Sequence, residues 1–242
     1  MSDPNRRQFL TAAAAAGAGF ITLAPGVRLI QVADARPAGE PASSINRWGL
    51  LIDTNKCSSS CDACVKACSR ENGINEKVAD PRQAAQWIRK IDIKDRRSGH
   101  EHSLPMMCQH CAEPPCVDVC PTGASMKRAD GIVLVDRHIC IGCRYCMMAC
   151  PYKARSFVHQ PLTEQNPEVP RGIGCVEACT LCVHRVDRGQ LPACVEACPE
   201  GAMLFGDLAD PNSEIARRVA VEASTQVRAD LKLNPGVRYQ GI

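Results

Sequence analysis

The apolar positions of this chain fall into one Ala-rich run near the N-terminus, several short β-like runs and one stretch with helical spacing. The run over residues 9–23 holds five successive alanines and two glycines, so it is only weakly hydrophobic. Three β-like runs, 124–128, 154–159 and 202–206, each follow a Cys-Pro step of one repeated form: Cys120-Pro121-Thr122-Gly123-Ala124, Cys150-Pro151-Tyr152-Lys153-Ala154 and Cys198-Pro199-Glu200-Gly201-Ala202. Residues 125–135 read as a hairpin, with Asp130-Gly131 as a favoured two-residue turn. Residues 211–230 read as a helix, with Asn212 or Ser213 as its cap and Ile215, Val219 and Val227 on compatible faces. The tail 231–242 contains Pro235 and Gly236 and shows no clear periodicity. The two together form a C-terminal extension, 211–242, that either packs on the core or docks a partner.

The N-terminal run changes meaning once its flanks are read. Arg6-Arg7 precedes it, and Ala33-Asp34-Ala35 places small residues where an A-x-A cleavage step needs them. Pro25 and Gly26 cut the run short of the ~20 residues that span a bilayer. Weak hydrophobicity and a late positive charge, Arg28, suit twin-arginine export better than the general secretory route. Residues 1–35 are therefore expected to be a twin-arginine signal and 36–46 a linker. The chain would be exported folded to the periplasm, with no membrane span of its own after cleavage. The other reading is an uncleaved anchor.

Net charge is +3, from 29 basic and 26 acidic residues mixed along the chain, with no clustered basic face of the kind that binds nucleic acid. Aromatic residues make up only 4% of the 242, while cysteines number 17, so stability must draw on something besides an ordinary core. Sixteen of those cysteines form four groups: Cys57, Cys61, Cys64, Cys68; Cys108, Cys111, Cys116, Cys120; Cys140, Cys143, Cys146, Cys150; and Cys179, Cys182, Cys194, Cys198. The third group is C-x2-C-x2-C-x3-C-P, the spacing of bacterial ferredoxins. Three thiolates at short intervals wrap three corners of one cubane, and the fourth, about one helical turn on, points to the other cluster of a pair. Pro after the fourth cysteine ends the short helix, because it cannot continue the hydrogen-bond ladder.

Two other readings compete. Crowded tetrads offer no obvious set of disulfide pairs, and an odd total leaves one thiol over. Structural zinc accepts four cysteines but does not call for a triplet with a remote fourth Cys-Pro. A short 125–135 hairpin brings the third group beside the second, which leaves the first and fourth to pair. The expected sets of Fe ligands are then Cys57, Cys61, Cys64 with Cys198; Cys179, Cys182, Cys194 with Cys68; Cys108, Cys111, Cys116 with Cys150; and Cys140, Cys143, Cys146 with Cys120. Cys175 is left over, either a spare thiol beside a cluster or a ligand displacing Cys179.

The four-group order, with x4 in the second group and x11 in the fourth, resembles the ferredoxin-like subunits of polysulfide, tetrathionate and dimethyl sulfoxide reductases and of formate dehydrogenases, over about residues 47–207. Within that family, the stretches Arg47-Trp48-Gly49-Leu50-Leu51-Ile52-Asp53, Lys56-Cys57-Ser58-Ser59-Ser60-Cys61-Asp62-Ala63-Cys64, Gln86-Trp87-Ile88-Arg89-Lys90 and Gly236-Val237-Arg238-Tyr239-Gln240-Gly241-Ile242 are similar to the DsrO-type subunits of DsrMKJOP complexes. The x3 step after Cys57 departs from the wider family's x2 and puts a bulge in that loop or Cys57 itself in question. The resemblance implies an α+β, loop-rich fold of tandem bacterial-ferredoxin-like modules. An inner module, 108–160, would be inserted in an outer one, 47–107 and 161–210. It also implies four [4Fe-4S] clusters cross-ligated as above, in a non-catalytic electron-transfer subunit of sulfur metabolism. Its partners would be an NrfD-like integral membrane quinone-interacting subunit and a multihaem cytochrome c. The runner-up is the electron-transfer subunit of a molybdopterin reductase; a zinc-stapled binding module is the reading from another class.

No catalytic motif competes: there is no phosphate-binding loop and no nucleophile elbow. His110, His138 and His184 lie near cysteines and are candidates for hydrogen bonds to sulfur, or plain surface histidines. Lys56, Lys127, Arg144, Lys153, Arg155, Arg185 and Arg188 crowd the groups, where positive charge favours a reduced cluster unless it is simply solvated.

Overall fold

The computed structural model describes residues 40–74, 80–163 and 165–242. The twin arginine, the apolar run, the Ala33-Asp34-Ala35 step and the start of the linker lie outside the described residues. No helix among the described residues is long and apolar enough to cross a membrane. The fold is α+β, with small sheets and short helices joined by long loops.

The main sheet is built on β1 (Trp48–Asp53), with β8 (Met203–Asp207) antiparallel on one side and β9 (Val237–Gln240) parallel on the other. A strand flanked on both edges and covered on both faces tolerates apolar residues in succession. Leu50, Leu51 and Ile52 accordingly are all buried. Trp48 stacks on Phe205 across the β1–β8 pair, with ring centroids 5.2 Å apart. Gly49 is there because nothing larger fits: a Cβ would stand 2.5 Å from the Gly236 carbonyl oxygen and 2.4 Å from Leu208 Cδ1. The side chain can move, but the backbone oxygen is fixed by the approach to β9. Gly49→Ala is expected to lower stability by roughly 1–3 kcal/mol, read as a drop in denaturant midpoint with an unchanged slope.

The C-terminal residues depart from expectation in an instructive way. The helix is α6 (Glu214–Val221), capped by Ser213, whose Oγ accepts from the Ala216 N–H at 3.1 Å. It ends well before residue 230. Thr225 instead exchanges backbone hydrogen bonds with Tyr239, at 2.7 and 3.0 Å, and Ala229–Leu231 forms a single 3-10 turn. Ser224 and Thr225 are weak helix formers, so pairing with β9 outcompetes the helix. The tail packs on the core: Tyr239 is fully buried, donates its hydroxyl to Pro105 O at 3.0 Å and accepts from Gln109 Nε2 at 3.2 Å.

Three hairpin-like pairs surround this sheet. β2 (Ile88–Lys94) pairs with β3 (Glu101–Met107), an element the apolar pattern left unread. β4 (Ser125–Lys127) pairs with β5 (Val133–Val135) as the 125–135 hairpin predicts. Its loop is wider than an Asp130-Gly131 two-residue turn: Arg128 O accepts from Gly131 N, Arg128 N donates to Ile132 O, and Gly131 takes a left-handed φ of 87°. That is a turn followed by a left-handed glycine, the common three-residue hairpin. β6 (Arg155–Phe157) pairs with β7 (Val176–Ala178). Short helices carry the cysteines: α1 (Ala63–Glu71), α2 (Pro115–Asp118), α3 (Tyr145–Ala149), α4 (Val183–Val186) and α5 (Ala193–Glu196). α1 packs against α5, and α2 against α3.

Candidate metal centres

The sixteen thiols gather into four sets. Cys57, Cys61, Cys64 and Cys198 line a hollow of about 330 Å³, here site I. Cys68, Cys179, Cys182 and Cys194 line a second of about 320 Å³, site II. Cys108 and Cys111 lie beside Cys116 and Cys150, forming site III. Cys120, Cys140, Cys143 and Cys146 line a hollow of about 270 Å³, site IV. Each set draws three thiols from one cysteine group and one from the group it pairs with. The x3 step after Cys57 is absorbed by a turn in which Cys61 N donates to Ser58 O at 3.2 Å, and Cys57 stays at the hollow. Cys175 lines none of these hollows; its buried thiol donates to Arg137 O at 3.3 Å.

Helix geometry explains how one short segment serves two sites. Residues four apart share a helix face and are separated by ~6 Å along the axis. α1 carries Cys64 to site I and Cys68 to site II from one face. In the other groups the helix stops before the fourth cysteine, so the chain can turn out: Cys150 is itself the extended residue ending α3. Left-handed residues curl the loops in front of these helices, namely His110, Gly142, Arg144, Leu181 and Cys182. For non-glycine residues this costs about 1–3 kcal/mol each and is retained where a site demands it. Gly142 has a second reason, since a Cβ there would meet the Gly174 oxygen at 2.4 Å.

The sets stand in a row. Cys194 of site II lies within the field of Cys64 of site I, Cys179 of site II within that of Cys108 of site III, and Cys146 of site IV within that of Cys116 of site III. Burial pushes Cys64 up to about 11 and Cys108, Cys111 and Cys194 up to about 12, so these thiols hold their protons until a metal displaces them.

The sites suit a polynuclear cluster. In three of the four sets the thiols stand round a hollow, and N–H groups are aimed at sulfur. Leu181 N donates to Cys179 at 3.4 Å, Ser125 N to Cys120 at 3.3 Å, and Ala202 N to Cys198 at 3.3 Å. Asn72 Nδ2 donates to Cys68 at 3.5 Å and Arg155 Nη2 to Cys116 at 3.0 Å. Trp87 and Thr180 line site II with buried polar atoms that have no hydrogen-bond partner. Asn72 and Thr180, and the place of Trp87 at site II, are not legible in the sequence, because nothing local sets them beside these cysteines.

The candidate histidines divide. His110 is buried; its Nδ1 accepts from Val133 N at 3.0 Å, which fixes the proton on Nε2, and burial lowers its pKa to about 3. His184 Nε2 instead meets Glu71 at 2.8 Å, and His138 is exposed. Lys90, absent from the basic candidates, lines site I and donates to Ser58 O at 2.9 Å.

Comparison with known proteins agrees with this geometry. The 4Fe-4S dicluster domain family matches residues 100–208. The chain is 41% identical to the Hdr-like menaquinol oxidoreductase iron-sulfur subunit 1 of Archaeoglobus fulgidus, over 97% of each chain. It is 35% identical to a tetrathionate reductase subunit of Salmonella typhimurium, over 99% of this chain and 89% of that one. It is 36% identical to protein NrfC of Escherichia coli, over 96% and 92% respectively. Four cysteine tetrads and near full-length similarity to these proteins lead to one conclusion: the chain belongs to the family of ferredoxin-like 4Fe-4S subunits that transfer electrons within oxidoreductase complexes without being catalytic themselves.

Proposed function

We propose that the chain is a relay subunit carrying four [4Fe-4S] clusters, one in each of sites I–IV. The observation that supports this most is the row of four cysteine sets, each with four thiols and a neighbour close by. In this reading Cys57, Cys61, Cys64 and Cys198 hold one cluster; Cys68, Cys179, Cys182 and Cys194 the next. Cys108, Cys111, Cys116 and Cys150 hold the third, and Cys120, Cys140, Cys143 and Cys146 the last. Such clusters supply one-electron oxidation and reduction, and the protein supplies position, potential and insulation. Leu50, Trp87 and Met107 exclude water from site II, while N–H donors to cysteine sulfur favour the anionic thiolate. Segment 108–160 is an inner ferredoxin-like module set within 47–107 and 161–210.

Site IV opens to the surface. Cys143 of site IV is exposed, and Ile141, Tyr145, Met148 and Ile173 around it are exposed too. An apolar rim at an exposed redox site suits a permanent interface. We assign it to an integral membrane, quinone-interacting subunit of NrfD type, which would hold the protein at the membrane of the periplasm after twin-arginine export. With a multihaem cytochrome c as a further partner, the assembly is of the DsrMKJOP type; the menaquinol oxidoreductase relative supports this. The similarity to the tetrathionate reductase subunit supports a second reading, the electron-transfer subunit of a periplasmic molybdopterin reductase.

The test is anaerobic purification with iron, acid-labile sulfide and EPR after dithionite. About sixteen iron and sixteen sulfide per chain, with interacting cubane signals, are expected; zinc in their place would end the electron-transfer reading. Copurification with an NrfD-like subunit and a cytochrome c favours the first assembly, and with a molybdopterin subunit the second.

A further inference from the structure

Most basic side chains among the cysteine groups are engaged away from sulfur. Arg185 pairs with Glu71 and Glu196, Arg188 with Glu168, Arg144 lies over the Phe157 ring, and Lys127 donates to Ala112 O. Arg155 is different. It is 6% exposed, yet no carboxylate pairs with it among the described residues. Its Nη2 donates to Cys116 Sγ at 3.0 Å and to Ser125 Oγ at 2.8 Å, and its Nη1 is buried without a hydrogen-bond partner. A guanidinium cannot shed its charge, and a buried charge must be paired.

The atoms that surround this cation come from two sites. Cys108 and Cys116 belong to site III and Cys146 to site IV, and all three lie within its field. Arg155 opens β6, directly after the Cys-Pro turn that follows Cys150, and α2 and α3, the helices bearing Cys116 and Cys146, pack on each other beside it. We infer that Arg155 is a shared counter-cation of sites III and IV, which raises the reduction potentials of both inner centres together and leaves sites I and II unaffected. This rests on the proposal that the sites hold clusters. Arg155 acts here as a positioning and tuning residue through the sulfurs it touches.

The experiment compares purified holoprotein with Arg155→Gln and Arg155→Lys by iron assay and EPR-monitored redox titration. The glutamine keeps an N–H donor and drops the charge; the lysine keeps the charge and drops the fork. The expected result is a fall in potential at two of the four centres in Arg155→Gln, the other two unmoved, and near-parent potentials in Arg155→Lys. Loss of inner-site iron in Arg155→Gln that Arg155→Lys restores also supports the inference. A shift at one centre only, at none, or at all four alike overturns it, as does equal loss of inner iron in both variants. A parent protein without iron would instead remove the underlying cluster proposal, so the two failures are told apart.

Discussion

Cys64→Ala and Cys68→Ala, four residues apart on one helix, are expected to empty two different sites. Each variant is expected to lose about four of sixteen iron atoms, but from opposite ends of the outer pair. Cys64 faces site I with Cys57, Cys61 and Cys198, and Cys68 faces site II with Cys179, Cys182 and Cys194. The functional consequences differ because of the row. Site I is terminal, so its loss shortens the relay. Site II lies between site I and Cys108 of site III, so its loss opens a gap. Single-turnover reduction of sites III and IV from the site I end is therefore expected to collapse in Cys68→Ala, while reduction from the site IV end persists. Iron analysis and EPR of the two variants give the check. Identical EPR losses from both would show that the two cysteines serve one cluster, contrary to the proposed ligand sets.

The largest expected effect on stability lies away from sulfur. Arg171 and Glu177 form a two-pronged ion pair, at 2.9 and 2.7 Å, with side chains 1% and 2% exposed. Arg171 also donates to Gly73 O at 2.9 Å, so the pair fastens the segment before β7 to the end of α1. Removing one partner of a buried pair leaves a charge without compensation and costs about 3–5 kcal/mol, a large part of the roughly 5–15 kcal/mol by which domains are stable. Glu177→Ala is expected to show that loss in chemical denaturation of the holoprotein. Replacing both residues with apolar ones, Arg171→Met with Glu177→Leu, is expected to recover part of it, because the buried guanidinium is removed together with its carboxylate. A Glu177→Ala variant as stable as the parent would mean that the pair contributes nothing net.

The cysteine pattern carried most of the functional meaning because cluster binding is a local affair. In the third group three thiols within a few residues and a fourth one helical turn on follow from chain geometry, so spacing marks out the groups, whereas pairing one group with another rested on the 125–135 hairpin. The Cys-Pro steps and the β-like runs after them were legible for the same reason: turn chemistry and strand alternation act over five or six residues. The turn at Gly131 shows the limit, since the dipeptide marked the place and the register of β4 against β5 chose a three-residue loop.

Other features belonged to tertiary structure. The helix expected to 230 stops at Val221 because Thr225 finds Tyr239, a partner fourteen residues away whose position depends on β1. The β2–β3 hairpin was hidden by a weak alternation, with charged Arg89 and Lys90 interrupting it. Of seven basic residues near cysteines, sequence proximity could not separate Arg155 from those held by carboxylates, carbonyls or rings, because the difference is what lies across the fold. The sequence by itself marked out the sixteen thiols and their four groups. Only the tertiary structure decided which sets are neighbours, how far each reaches the surface and which cation is buried beside them, since burial and long-range proximity are properties of the packed chain.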